Sequence, residues 1–477
     1  MKHCFPSLKL PVQGVLCVVG GFLLFLSFAS DFSYSNLNTY ITSYARSSGY
    51  EENGEYIKYN PELTYADFVF VTTTKVLLQG FCMPFLGVVA RKIGVRPSIL
   101  VGSFIYSAGF LLTSVTIKNK FSLVVLTMAM HGIGFCFVYA TAIGAAQKWF
   151  PRSMKGLVSS LVLSGYGFGS LIWIPVQTSF VNPDNIKATV DEKCTFNGTQ
   201  ESKCDKYFTD PEVLENIPNM FLLLGGVFGA LGIIATILIS EPNQSKEDQD
   251  EMSSIQDKTS TDQMTQTFSL TPIQVLRTRT FYQTWMGFFN ITLTSGIISN
   301  YSKTFGLTFI NDDHYFALIG VISNVFNGLC RIFWGFLYDR LGFRGCYMCL
   351  ATIVTITTAL FPFLPYLDAD SMAAKGCYGT CMAVLFAAFP GIYPIIAPAI
   401  NDGFGPDHYQ ANFGLMFTQS IAYAGFIFVL TKISVVYAFL GYSGMFVVAA
   451  VIGVLGLVTV FFLPKHLSSE AYRSKFS

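Results

Sequence analysis

Charge is scarce in this chain. Lys and Arg number 30 and Asp and Glu 29 in 477 residues, so 12% are charged, against about 25% in soluble globular domains. The two signs nearly cancel, leaving a net charge of +1, and no stretch is dense in Lys or Arg. That excludes a nucleic-acid-binding surface, which needs a basic patch. Histidine is rare too, with 5 residues, and the 11 cysteines show no metal-ligand spacing; Cys377-x3-Cys381 has no partner pair. There is no phosphate loop, no nucleophile–base signature and no cofactor motif. The sequence therefore gives no expectation of an enzyme, a metal or a cofactor.

What fills the space is apolar. Hydrophobic residues make up 52%, Phe alone supplies 46, aromatics reach 16%, and the mean hydropathy is +0.49. A soluble core could not absorb that much apolar surface and still leave so few charges outside. A polytopic helical membrane protein remains.

A bilayer crossing needs about 20 mainly apolar residues. Twelve segments qualify: 13–40, 65–89, 96–117, 122–147, 155–180, 218–240, 280–309, 314–338, 344–364, 375–399, 411–436 and 442–464. They are called segments 1 to 12 below. Segment 1 is not read as a cleavable signal, because no small-residue cleavage site follows it and the stretch runs on into Asp31–Tyr34. The gaps after segments 2, 4 and 8 carry Arg91, Lys92 and Arg96, then Lys148, Arg152 and Lys155, then Arg340 and Arg344. The gap after segment 1 holds Glu51, Glu52, Glu55 and Glu62. The positive-inside rule then places both termini in the cytosol, with Lys118 and Lys120 dissenting. The plasma membrane is the first expectation and an organelle membrane the second.

The outer gap 181–217 contains the glycosylation pattern Asn197-Gly198-Thr199, and Cys194 and Cys204 lie close enough in sequence to pair. A polar linker, 241–279, separates residues 1–240, the first six segments, from 280–464, the second six; a cytosolic tail, 465–477, follows.

The two sets are related. Val76–Arg96 aligns without gaps to Asn324–Arg344, and six of the 21 positions are identical, including Gly80/Gly328, Gly87/Gly335, Gly94/Gly342 and Arg96/Arg344. Both stretches end the second helix of a set, the pattern of a parallel repeat in secondary transporters. Arg331 breaks the symmetry, since its counterpart is Met83. Duplication accounts for what the copies share, not for a lone guanidinium. An arginine in an apolar helix costs about 2.5–3.5 kcal/mol near the bilayer centre. It needs a partner or a wet cavity, or else it snorkels to the interface.

Gly335-x3-Asp339-Arg340-x-Gly342-x-Arg344 resembles the loop motif of the major facilitator superfamily. The resemblance implies an all-helical fold of twelve transmembrane helices in two six-helix repeat halves, with the Asp and Arg of the motif clasping helix ends. The first copy departs from it: Arg91 stands where the family usually has Asp. Lys148-Trp149-Phe150-Pro151-Arg152 with Gly165-x-Gly167-x-Gly169, and Asn327-Gly328-x2-Arg331, resemble the oxalate:formate antiporter and monocarboxylate transporter branch. There the segment 8 arginine pairs with the substrate carboxylate. The Asp four residues before that arginine is Asn327 here, and an ungapped match puts Asn38 at the first-helix Lys. The antiporters' segment 11 cation is matched by Gln419 and Ser420.

The expected function is secondary or facilitative transport of a small organic anion, first a monocarboxylate, because one guanidinium fork neutralises one carboxylate. An amino-acid or other nutrient facilitator and a transport-inactive sensor or scaffold stay open. The expected partners are the bilayer and a small organic solute, moved alone, with a proton or against a counter-anion. The residues expected to line the path are Arg331, Asn327, Tyr34, Asn38, Gln79, His131, Tyr166 and Gln419. Asp31, Lys75 and His131 are the candidates for coupling, each with ion pairing or helix packing as its plainer role.

Overall fold

The computed structural model describes residues 11–47, 49–52, 55–58, 63–190, 206–242, 269–310, 312–369, 371–432 and 434–463. The glycosylation and disulfide candidates Asn197, Cys194 and Cys204 lie outside them, as do most of the linker and the tail.

Among the described residues, ten helices are long and apolar enough to cross a bilayer. One of these, Leu318–Tyr366, is segments 8 and 9 run together across Gly342, whose φ of 68° turns the chain. Segment 7 is the helix Arg279–Gly306, 28 residues long but interrupted by Thr, Ser and Asn, which lower its hydropathy. Splitting the joined pair and adding segment 7 gives twelve crossings. Helices are the required solution, because hydrocarbon offers backbone N–H and C=O groups no partner.

The packing is that of a protein solvated by lipid. Large apolar side chains point outward, among them Phe85, Phe104, Leu126 and Ile237. The interior takes up Ser, Thr, Asn and several charged or titratable groups: Lys75, His131, Asn327 and Arg331 are all buried. Small residues let the helices close up. A Cβ added at Gly102 would stand 2.8 Å from the Gly134 carbonyl oxygen, so segments 3 and 4 touch through their backbones.

Segment 1 is not one continuous α-helix. It runs as Val12–Phe28, then a 3-10 stretch Ala29–Ser33, then a second helix Tyr34–Ser47. Ser33 bonds back to the Ser30 carbonyl at 2.7 Å, the local competition that loosens an α-helical ladder. The break places Asp31 in the 3-10 stretch. Segment 10 is broken as its prolines predict, into Met372–Ala388, the 3-10 turn Phe389–Gly391 and Ile392–Phe404.

The halves meet along two seams, segment 5 on segment 8 and segment 2 on segment 11. Gly167 stands 2.6 Å, measured from an added Cβ, from the Gly328 Cα, and Gly156 and Gly335 would collide with each other's surroundings if either carried a side chain. Among the described residues, hydrogen bonds and ion pairs between the halves gather on the face that carries the basic loops. Arg152 and Lys155 reach Asp402 at 3.2 and 3.7 Å, and Asn401 donates to Gln147 at 2.7 Å.

The loop motif holds differently from its expected Asp–Arg clasp. Asp339 accepts from the backbone N–H groups of Gly156 and Leu157 at 2.7 and 2.9 Å. These open the helix Lys155–Val181, whose own N-cap residue makes no side-chain bond. The carboxylate thus caps a helix of the other half, where unpaired donors and the dipole favour negative charge. Arg340 lies over the Phe336 ring, Arg344 over Phe461, and Arg96 donates to the Ile239 carbonyl. In the first copy, Arg91 contacts His408 at 2.6 Å, the residue just before the helix Tyr409–Phe417. Gly87 packs on the Gln410 carbonyl, and Gly94, with φ 91°, makes the turn that Gly342 makes in the second copy.

Candidate functional site

Segment 8 delivers Arg331 to the centre of the bundle, 1% exposed. Its Nε donates to Asn327 Oδ1 at 3.0 Å, one helical turn back. That bond fixes the guanidinium plane from its own helix. The group faces aromatic rings from two other segments: its Cζ is 5.3 Å from the Tyr393 centroid and 5.7 Å from that of Tyr166. Both distances are within cation–π range. Glycine explains how Tyr166 gets there. With Gly165 against the Phe22 carbonyl and Gly167 against Gly328, segment 5 is pinched between segments 1 and 8, so its ring stands on the seam.

Donor groups in this region have capacity to spare. Asn327 Nδ2 and the Tyr139 hydroxyl are buried and have no hydrogen-bond partner among the described residues. Buried polar atoms are nearly always paired, so such atoms mark a place where another molecule's acceptors belong. An arginine fork, an amide N–H and a phenol O–H together suit a carboxylate. Aromatics from both halves pack beside this region: Tyr139 packs on Phe413 and Phe417 at 5.4 and 5.2 Å, and Phe288 packs on Tyr393 and Phe417.

A second polar cluster lies in the first half. Lys75 Nζ and Asp31 Oδ2 are 2.6 Å apart, with side-chain exposures of 8% and 9%. The Tyr166 hydroxyl donates to the same Oδ2 at 2.6 Å. Lys75 also sits 4.7 Å from the Tyr34 ring centroid. The Tyr34 hydroxyl bonds His131 Nδ1 at 2.8 Å, and His131 stacks on Phe110 at 4.1 Å. Tyr166 therefore joins the two clusters, with its hydroxyl on Asp31 and its ring against Arg331.

Of the residues expected from sequence, Arg331, Asn327 and Tyr166 come together, and Asp31, Lys75, Tyr34 and His131 form the adjoining cluster. Three stand elsewhere. Asn38 donates to the Tyr65 carbonyl and accepts from Thr42, bracing the end of segment 1. Gln419 accepts from Thr292 at 2.8 Å between segments 7 and 11. Gln79 is buried on segment 2, one turn beyond Lys75. Tyr139, a site residue that sequence reasoning passed over, is one of 24 tyrosines with nothing local to single it out.

This architecture has relatives. A Major Facilitator Superfamily profile matches residues 23–424. The chain belongs to the Major Facilitator Superfamily. It is 23% identical to apicoplast pyruvate carrier 1 of Toxoplasma gondii, over 97% of this chain and 91% of that one. It is 24% identical to the oxalate:formate antiporter of Oxalobacter formigenes, over 75% and 73% respectively. Among solved structures, the E. coli fucose:proton symporter superposes with a TM-score of 0.61 at 13% identity, covering 95% of this chain and 98% of that one. The last likeness is one of fold. The superfamily match and the helical architecture agree with the reading of loop motif and repeat.

Proposed function

We propose that this superfamily member carries a small monocarboxylate across its membrane by alternating access, with Arg331 as the carboxylate anchor. The observation that carries the reading is a 1%-exposed guanidinium, oriented by Asn327 and walled by Tyr166 and Tyr393, beside buried donors with unused capacity. A fork of this kind matches one carboxylate in two-point geometry. The names of the relatives, a pyruvate carrier and an oxalate:formate antiporter, support the same cargo class.

The other intramembrane cation is already matched, since Lys75 lies on Asp31. A dianion therefore finds one guanidinium fork, and its second carboxylate would have to compete with Asp31 for Lys75. The same pairing weakens the amino-acid reading, which needs Asp31 for a cargo ammonium. In this proposal both termini are cytosolic, so the closed basic-loop face is the cytosolic one and cargo enters from the opposite side. Asp31 and Lys75 are the coupling groups; His131, held by Tyr34 and Phe110, braces them.

Counterflow of labelled pyruvate in liposomes containing the purified chain tests the proposal. Lactate and formate inside should drive exchange, and neutral amino acids should not. Exchange driven by amino acids, or no saturable flux of any of these solutes, overturns it.

A further inference from the structure

Tyr409, the first residue of the segment 11 helix, is 3% exposed, and its hydroxyl has no hydrogen-bond partner among the described residues. A buried phenol in that position bears a desolvation cost that a phenylalanine of the same shape would not. The ring needs no hydroxyl to pack. It lies on Gly144 of segment 4 and beside Phe413 of its own helix, with ring centroids 5.7 Å apart. A buried hydroxyl of this kind marks a place where another molecule's acceptor belongs. We propose that the acceptor is the departing cargo, and that Tyr409 is a release subsite for the carboxylate between Arg331 and the basic-loop face. The proposal rests on the carboxylate reading and adds the exit half of the path to it.

Position supports the assignment. The segment 4 helix, Phe121–Gln147, runs into the loop that carries Lys148, Arg152 and Lys155. Tyr139, the phenol that faces Arg331, lies eight residues before the end of that helix. Gly144, on which Tyr409 packs, lies five residues further along, about 7.5 Å nearer the loop. Phe413 borders both phenols, at ring-centroid distances of 5.4 Å from Tyr139 and 5.7 Å from Tyr409. One turn beyond Gly144, Gln147 accepts from Asn401 at 2.7 Å, and Arg152 and Lys155 follow on Asp402. From the centre outward the order is guanidinium, phenol, phenol, amide pair, cations.

That order suits an anion that has to leave. A carboxylate released by Arg331 has the Phe413 ring and the Gly144 wall to pass before it reaches Lys155, and a bare anion among apolar groups is strongly disfavoured. Each phenol can donate one hydrogen bond to a carboxylate oxygen, of the stronger charge-assisted kind. While segments 4 and 11 are in contact, the Tyr409 ring is sealed against Gly144. Their parting lifts the ring off and opens its hydroxyl to the space beside Tyr139. The cargo then passes from a phenol of the first half to a phenol of the second. A single neutral donor holds an anion less tightly than a guanidinium fork, so the subsite passes the cargo on instead of trapping it.

Proteoliposomes sorted by the orientation of the full chain test this, with labelled pyruvate offered to one face at a time. Tyr409→Phe should raise the KM for pyruvate several-fold at the basic-loop face and leave the KM at the opposite face at its wild-type value. Phenylalanine keeps the ring and removes only an unpaired buried hydroxyl, so thermal unfolding should be unchanged or shifted upward, which also verifies the fold. An unchanged KM at the basic-loop face overturns the inference, leaving the hydroxyl to packing or to water. An equal rise at both faces overturns it too, because the hydroxyl then acts at the Arg331 site and not on the way out. Either result leaves the carboxylate reading standing. Absence of saturable pyruvate flux in the wild type removes both.

Discussion

Arg331 and Lys75 show two ways of keeping a cation in an apolar helix. Lys75 is held by a carboxylate at 2.6 Å, and Arg331 is set among an amide and aromatic faces. The first arrangement has its counter-ion within the chain, and the second is the one the proposal gives to the cargo. The Tyr139 hydroxyl tests this at a single atom. It is buried without a hydrogen-bond partner, so Tyr139→Phe should leave thermal stability unchanged or slightly raised. If the hydroxyl serves the cargo, the same change weakens pyruvate binding several-fold, about 1 kcal/mol. Thermal unfolding with and without pyruvate measures both quantities, and unchanged binding would take Tyr139 out of the site. Arg331 was legible in the sequence because the repeat sets Met83 opposite it, and the repeat conserves structure rather than charge. The Asp31–Lys75 pairing was open as a matter of reach between neighbouring segments. Tyr139 was not legible, because its role depends on the seam between the halves, which no local pattern encodes. For the same reason Asn38 and Gln419 matched positions in a family pattern while their side chains bond elsewhere.

At the scale of the helices, the two copies of the loop motif hold the closed face with opposite electrostatic sense. Asp339 places negative charge at the start of segment 5, where a helix welcomes it. Arg91 places positive charge at the start of segment 11 and relies on His408 to accept its hydrogen bond. That acceptor is lost when the imidazole is protonated. Partial burial and the neighbouring Arg91 lower the His408 pKa below its ordinary value of 6.5, and Asp407 works the other way. With the folded-state pKa depressed, the contact is intact above the ordinary value and is lost as pH falls through the lower folded one. Acid on the basic-loop side should therefore loosen the segment 2–11 seam and spare the 5–8 seam. Distances between spin labels at positions 93 and 406 should lengthen on acidification of that side, and His408→Gln should abolish the response. Gly335 tests the other seam. An added methyl group meets the Gly156 carbonyl and Ser160, and overpacking of this kind costs roughly 1–3 kcal/mol. Gly335→Ala should shift the population towards an open basic-loop face, read as faster labelling of a cysteine placed at Ser160; unchanged labelling would contradict the seam's role. The helices themselves were legible from hydropathy, and the break in segment 10 from its prolines. The 3-10 break in segment 1 was not, because serine back-bonding lowers no hydropathy and leaves no proline to read.

The whole molecule is an apolar shell around a polar seam. Its exterior is Phe, Leu, Val and Ile suited to lipid, and its charged interior is divided between a matched pair in one half and a guanidinium in the other. Contacts between the halves tie one face together through side-chain hydrogen bonds, ion pairs and apposed glycines, and aromatics pack beside Arg331. In the proposed cycle cargo enters from the opposite face, and loosening the clasps releases it through the basic-loop face. All of this turns on whether the guanidinium holds the carboxylate. The most direct measurement is equilibrium binding of pyruvate to the purified chain, wild type against Arg331→Lys. Lysine keeps the charge but loses the planar two-point fork, so affinity should fall at least tenfold, about 1.4 kcal/mol or more, with folding preserved. Equal affinity in the two proteins would contradict the account.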